Sequence, residues 1–308
     1  MKEKNNNPLL CDPEKGICEM PVNDKTKNGT HSFEHNKPVK IIYFTDPICS
    51  SCWGIEPQLR KLKLEYGNNI DIEYRMGGLL PDWSYNSGGI SKPSDVAQHW
   101  DEVSRYYDMP IDGDVWIEDP LSSSYPPSIA FKAAQMQDES KAVSFLRRIR
   151  EMVFIEKKNI DKWEYLALAA SKTGLDVTKL KTDYDTKAKM LFEEDLALAK
   201  KLGVRGFPTL FFIDSLNNEQ TVYGFKPYQT FEDAVLTAFP KAEKNKFDTS
   251  WTGLFHKYSS LTVKEFSELS GLSRKESEIL LQKLTDEAKL HKTTTKNGSI
   301  WSVKNTKF

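Results

Sequence analysis

The sequence predicts an α/β fold in three parts: a strand–helix–strand half, a helical insertion followed by a strand–strand–helix half, and a small winged-helix-like C-terminal domain. Three observations carry this. The apolar run Ile41-Ile42-Tyr43-Phe44 leads into Cys49-Ser50-Ser51-Cys52 and a helical pattern. A second apolar run, Leu210-Phe211-Phe212-Ile213, starts beside Gly206-Phe207-Pro208-Thr209, and the stretch between these runs is helical in pattern. With 308 residues the chain exceeds a single domain of about 100–200 residues, so two or three units are expected.

Residues 1–37 are rich in Asn and Lys with few apolar positions, which predicts a mobile Cys/His-containing tail unless a metal or a bridge orders it. Val39 to Phe44 is β-branched and aromatic, a short buried strand. Ser51 to Tyr66 has helical spacing with Pro57 inside it, and Gly67-Asn68-Asn69 ends it. Ile70 to Met76 alternates like a strand. Helices are expected at 127–134, 142–154 and 161–171, the last with Asp161 as N-cap and Gly174 as stop. A strand at 210–213, a turn at Ser215-Leu216-Asn217-Asn218, a strand near 220–223 and a helix at 231–239 follow. The domain spans 38–241, with the insertion at about 91–202. This order is similar to a thioredoxin fold split by helices, as in DsbA-like proteins.

Residues 242–308 form the third unit. Thr262 and Ser273 can cap helices at 263–269 and 274–284, joined at Gly271, and Asn297-Gly298 is a hairpin turn between Leu290 and Ile300 to Val303. Arg274, Lys275 and Lys283 would suit DNA, but Glu276 and Glu278 share their helix and repel phosphate. Docking of protein is the expectation, and nucleic acid is not.

The chemistry centres on Cys49 and Cys52. A thiol at a helix N-terminus meets unpaired N–H groups and the helix dipole, which lower its pKa from about 8.5 to roughly 3.5–7.5. Cys49 is thus expected to be the exposed nucleophile and Cys52, one turn on, the buried resolving thiol. The same spacing supplies half of many zinc sites, but the chain has no second such pair. Phe207 and Pro208 are expected to shape a peptide-binding loop facing the thiols, with Pro208 in the cis form. Trp53 could line the same groove, although an aromatic there more often packs. Asp46 could relay a proton to Cys52, or only shape the turn with Pro47.

Cys11 and Cys18 flank a turn-rich loop, and His31 and His35 follow. These four residues are candidates for zinc, yet the cysteine gap is wider than zinc sites favour, and a Cys11–Cys18 bridge or an unstructured tail are the alternatives. No cofactor is required for dithiol chemistry. His99, His256 and His291 are scattered, without a nucleophile to pair with.

A formal net charge of −1 gives no whole-chain case for nucleic acid or an anionic membrane. The N-terminus lacks the apolar stretch of a signal peptide, and no run approaches about 18 apolar residues, so a cytoplasmic protein is expected. There, structural bridges are rare, and four cysteines suggest redox or metal chemistry.

The stretch from Phe44 through Asp46, Pro47, Cys49, Cys52, Trp53, Gly54 and Pro57 to Gly67 resembles the SpxH (YjbH) family of DsbA-like proteins, adapters that deliver the regulator Spx to the ClpXP protease. Asp112-Gly113-Asp114-Val115-Trp116, Pro120-Leu121-Ser122-Ser123, Ala130 to Ala134, Lys157 to Ile160 and Ile300-Trp301 extend the resemblance from about Lys40 to the end. It implies ClpX and a Spx-like regulator as partners, and zinc near the N-terminus, although Cys11 and Cys18 do not match the relatives' spacing. The loop at Pro208 is similar instead to that of DsbA-family oxidoreductases. Ser50-Ser51 stands where strongly oxidising DsbA has Pro-His, implying a less oxidising pair. Isomerases of this fold that use glutathione usually have serine at the position of Cys49. The leading expectation is therefore a cytoplasmic dithiol–disulfide oxidoreductase or isomerase acting on protein thiols and disulfides, and the alternative is an adapter for ClpXP.

Overall fold

The computed structural model describes residues 11–12, 16–19, 37–84 and 92–303. Short strands β1 (Cys11–Asp12) and β2 (Ile17–Glu19) pair antiparallel and form a hairpin. Part of the segment 1–37 is thus strand, and the remainder, with His31 and His35, lies outside the described residues.

The main sheet grows from β3 (Val39–Thr45), whose seven residues are buried or nearly so, as a central strand requires. Two helices, α1 (Ser50–Gly54) and α2 (Glu56–Tyr66), carry the chain back to β4 (Ile70–Met76), which runs parallel to β3. The single helix expected here breaks at Ile55, because Pro57 has no N–H to donate and takes a first-turn position of α2 instead.

Seven helices follow among the described residues: α3 (Ser94–Tyr107), α4 (Val115–Glu118), α5 (Tyr125–Gln135), α6 (Glu139–Phe154), α7 (Trp163–Lys172), α8 (Val177–Asp185) and α9 (Ala188–Lys201). Asp161 does not cap α7. Its carboxylate accepts from Ser122 N and Oγ, both at 2.7 Å, and so ties α7 to the α4–α5 loop.

The chain re-enters the sheet region with β5 (Gly206–Phe207), β6 (Thr209–Ile213), β7 (Glu219–Tyr223) and α10 (Tyr228–Ala238). The sheet order is β4-β3-β6-β7, and β6 lies antiparallel to β3 with Ile42 opposite Phe211. β5 stands outside it and pairs with β2, completing a β1-β2-β5 sheet.

The C-terminal unit comprises α11 (Trp251–Lys257), β8 (Ser260–Thr262), α12 (Val263–Ser270), α13 (Arg274–Asp286), β9 (Leu290–Thr295) and β10 (Gly298–Val303), with sheet order β8-β10-β9. Capping boxes at Thr262/Glu265 and Ser273/Glu276 start α12 and α13, and Gly271 ends α12 in the left-handed conformation. Leu261, Phe266, Leu281, Leu284 and Trp301 belong to its own core, separate from the main one.

Charge joins the two bodies. Glu265 is wholly buried, takes Arg147 of α6 in two bonds of 2.6 and 3.0 Å, and has Arg60 of α2 at 3.3 Å. The β9–β10 turn also faces inward: Asn297 donates to Asp101 and to Ile111 O, while Lys296 meets Asp101, Asp112 and Asp114. Arg274, one of the cations considered for DNA, is engaged by Asp108 and Glu278. No helix among the described residues is long and apolar enough to cross a membrane.

Candidate functional site

β3 ends against the first turn of α1, and there the two thiols meet. Cys49 holds the N-cap position in extended conformation, and Cys52 N donates to its Sγ at 3.1 Å. The Phe207–Pro208 bond is cis, as expected, and Pro208 O accepts from Gly224 N at 2.8 Å. The Phe207 ring fills the space over Gly77, where an added Cβ would lie 1.7 Å from its Cζ. The Phe207 backbone, with Gly206, forms an edge to which an extended strand can add.

That edge is occupied by the chain itself. Cys18 stands opposite Phe207 and Glu19 opposite Gly206 in antiparallel register. Gly16, at φ +65°, packs so tightly on Phe225 that a Cβ would lie 2.4 Å from the Phe225 Cβ, and its carbonyl accepts from Phe225 N. Cys18 is disulfide-bonded, whereas Cys49 and Cys52 are free. The Cys18 backbone stands opposite that of Cys11 in the β1–β2 register. Cys49 Sγ donates to Cys18 Sγ at 3.5 Å, and Ser51 Oγ lies 3.4 Å from Cys18 Sγ and 2.6 Å from Tyr107 Oη.

Burial reverses the order of acidity expected of the two thiols. Cys49 is 0% exposed, and burial, followed by its hydrogen bond to Cys52, pushes its thiol well up despite the Cys52 N–H and Arg150. Burial also opposes ionisation of Cys52, but the Cys49 hydrogen bond, the Arg150 charge and bonds from Thr45 and Tyr43 hold its thiol below the ordinary value. The exposed, low-pKa Cys49 expected from the sequence is therefore not what forms. One N–H at a helix start does not offset the loss of water under β2.

Arg150 was not visible as a site residue. It is fully buried on α6, with Glu56 at 2.6 Å, and it donates to Thr45 Oγ1 and to Asp46 O. Burial works against its charge, yet Tyr43, Glu56 and the cysteines more than offset this. A signal did exist: Leu146, Arg150 and Phe154 share one face at helical spacing, so an arginine interrupts an apolar stripe.

Asp46 shapes the turn. It accepts from Ile48 N at 3.0 Å, Leu79 N at 2.8 Å and Ser124 Oγ at 2.9 Å. Burial raises its carboxyl to about 6 against these bonds. Trp53 does not line the groove: it is buried, stacks on Phe154 at 5.5 Å beneath the Arg147 guanidinium, and donates to Pro110 O. The indole directly after the dithiol points inward, into the main core beside α6.

Zinc would need Cys18 as a thiolate. Cys18 is disulfide-bonded here, while the Cys11 side chain, His31 and His35 lie outside what the structure describes.

The family model described as Thioredoxin matches residues 43–233, which hold the dithiol, the insertion and the cis-proline loop. A curated relative from Halalkalibacterium halodurans, the ClpXP adapter protein SpxH, is 34% identical over 301 residues, spanning 96% of this chain and 97% of its own. The chain belongs to the SpxH family of DsbA-like, thioredoxin-fold proteins. The member from Bacillus subtilis, also a ClpXP adapter protein SpxH, is 29% identical and covers 86% of this chain and 89% of itself. Among solved structures, the cytosolic disulfide reductase DsbM from Pseudomonas aeruginosa superposes with a TM-score of 0.53 at 20% identity, over 64% of this chain and 98% of its own. That likeness is one of fold. The match to the Halalkalibacterium halodurans relative reaches the C-terminal unit, whereas the family model ends at residue 233 and the DsbM match leaves about a third of this chain uncovered.

Proposed function

We propose that this protein is an adapter that holds a Spx-like regulator and presents it to ClpXP in the cytoplasm. The observation that carries this reading is the burial of both thiols beneath the chain's own β2: neither sulfur offers an outside disulfide a surface to attack. The Halalkalibacterium halodurans relative, named as a ClpXP adapter, matches into the C-terminal unit, and in this chain that unit is joined to the thioredoxin body by the buried Glu265 network. The test is reconstituted degradation of a Spx-like regulator by ClpXP. Addition of the full chain should accelerate it, and Cys49→Ser/Cys52→Ser should do so nearly as well. Equal degradation with and without the chain would overturn the proposal.

A second reading, dithiol–disulfide exchange with protein substrates, is favoured by the β5 edge, on which an extended strand already lies, and by the free Cys49 and Cys52 at the start of α1. It requires β2 to leave β5 so that a substrate strand can take its place. Insulin reduction by the intact chain, absent in Cys49→Ser, is its measurement.

A further inference from the structure

We propose that the cleft between the thioredoxin body and the C-terminal unit takes an extended segment of a protein partner in which carboxylates alternate with apolar side chains. The inference deepens the adapter reading, since it names the class of client segment that would be held.

The cleft has a volume of about 1010 Å³. That is the upper end of the range for small-ligand sites, about 300–1,000 Å³, and leaves room for several residues of chain. Its walls come from stretches far apart in sequence: α2 with α6, the end of α7, and the α11–β8 connection. Leu59, Val143 and Leu146 give it an apolar lining on the body, and Phe255 and Tyr258 continue that lining on the C-terminal unit.

Charge sets the sign of the occupant. Arg60 and Arg147 meet Glu56 and Glu265, and Arg148 meets Glu151 and Glu156. Arg150 also takes Glu56, so four guanidinium groups face four carboxylates and the network carries no net charge. Three lysines that line the cleft stand outside this network. Lys63 donates to Tyr74 Oη at 2.7 Å, and neither it nor the exposed Lys172 and Lys257 has a carboxylate partner among the described residues. In a chain of 43 cations and 44 anions, an excess of three positive charges on one cleft is a local arrangement and not a result of composition.

The lysines belong to three different elements: Lys63 to α2, and Lys172 and Lys257 to the last turns of α7 and α11. They offer separate points of charge, which suits carboxylates spaced along an extended chain, while the side chains between them meet the apolar lining. Nucleic acid is the less suited polyanion. Glu56 and Glu151 line the same cleft, and the apolar lining offers nothing to a phosphate backbone.

Fluorescence anisotropy of a fluorescein-labelled short peptide of alternating glutamate and leucine, titrated with the full chain, tests this. Saturable binding is expected, and Lys63→Gln/Lys172→Gln/Lys257→Gln should weaken it about tenfold, three ion pairs being lost together. Glutamine still donates to Tyr74, so the fold is kept. Lys181→Gln/Lys189→Gln/Lys283→Gln removes the same charge from exposed sites elsewhere and should leave binding unchanged. In the ClpXP assay, excess peptide should slow the degradation that the chain accelerates. Absence of saturable binding, equal affinity of the two triple variants, tighter binding of a single-stranded oligonucleotide than of the peptide, or acceleration untouched by saturating peptide would each overturn the proposal and leave the adapter reading standing. A chain that binds the peptide through the three lysines yet accelerates no degradation would overturn the adapter reading and uphold the cleft.

Discussion

Replacing Glu265 by Gln should release the C-terminal unit from the rest of the protein. The side chain is 0% exposed and faces Arg147 in two bonds of 2.6 and 3.0 Å and Arg60 at 3.3 Å, while it also accepts from Thr262 N at 2.8 Å in the capping box of α12. Glutamine keeps the volume and one acceptor for Thr262, but leaves two buried guanidinium groups short of a counter-charge. Breaking a buried pair in this way costs about 3–5 kcal/mol, against a total stability of about 5–15 kcal/mol. The lower figure shifts the folded-to-unfolded ratio roughly a hundredfold. An internal control lies on the same interface: Lys61–Glu268 spans 3.1 Å with both side chains 24% exposed, and Glu268→Gln should cost less than about 1 kcal/mol. Burial alone would raise the Glu265 carboxyl, but Arg147 and Arg60 outweigh it and hold it below the usual carboxylate range. Its contribution is accordingly present above the unfolded value of about 4.3 and lost as pH falls through the lower folded value. Urea unfolding followed by tryptophan fluorescence, with limited proteolysis between α10 and α11, reads both variants. Equal midpoints for Glu265→Gln and Glu268→Gln would refute the reasoning.

Arg150→Met removes a cation that favours the Cys52 thiolate, so the thiolate absorbance of a Cys49→Ser background should titrate at higher pH; an unchanged titration would mean that Arg150 acts only in packing. Gly16→Ala places a side chain at φ +65° and against Phe225, and about 1–2 kcal/mol of backbone strain alone should open the hairpin roughly tenfold more often, read as faster iodoacetamide labelling of Cys49. Asp46, raised from 3.8 to about 6, contributes stability that is full below its unfolded value and is lost as pH rises through 6. The loss is about 3 kcal/mol and should be absent from the pH–stability profile of Asp46→Asn, whose amide also sets a donor against the N–H of Leu79 or Ile48.

Much of the fold was legible because it is encoded over a few residues. Alternation in Ile70–Met76, the apolar run before Cys49, the capping residues Thr262 and Ser273 and the Asn297-Gly298 turn each act within one turn or one strand pair, and each formed where the pattern put it. The dithiol motif and the proline of the facing loop were legible for the same reason. Local patterns fail where a neighbour distant in sequence competes: Asp161 has the chemistry of a cap but is taken by Ser122, and Pro57 splits one helical stretch into α1 and α2.

The sequence by itself singled out Cys49, Cys52 and the Phe207–Pro208 loop; only the tertiary structure decided in what state they stand and brought Arg150 beside them. Whether Cys49 is a low-pKa nucleophile depends on water, and water is excluded by a strand 31 residues upstream that no periodicity links to it. Arg150 reaches the thiols across the insertion, and Arg147 and Arg60 find Glu265 across 118 and about two hundred residues. Desolvation and Coulomb attraction depend on distance in space, and a linear pattern carries none beyond the next turn or strand.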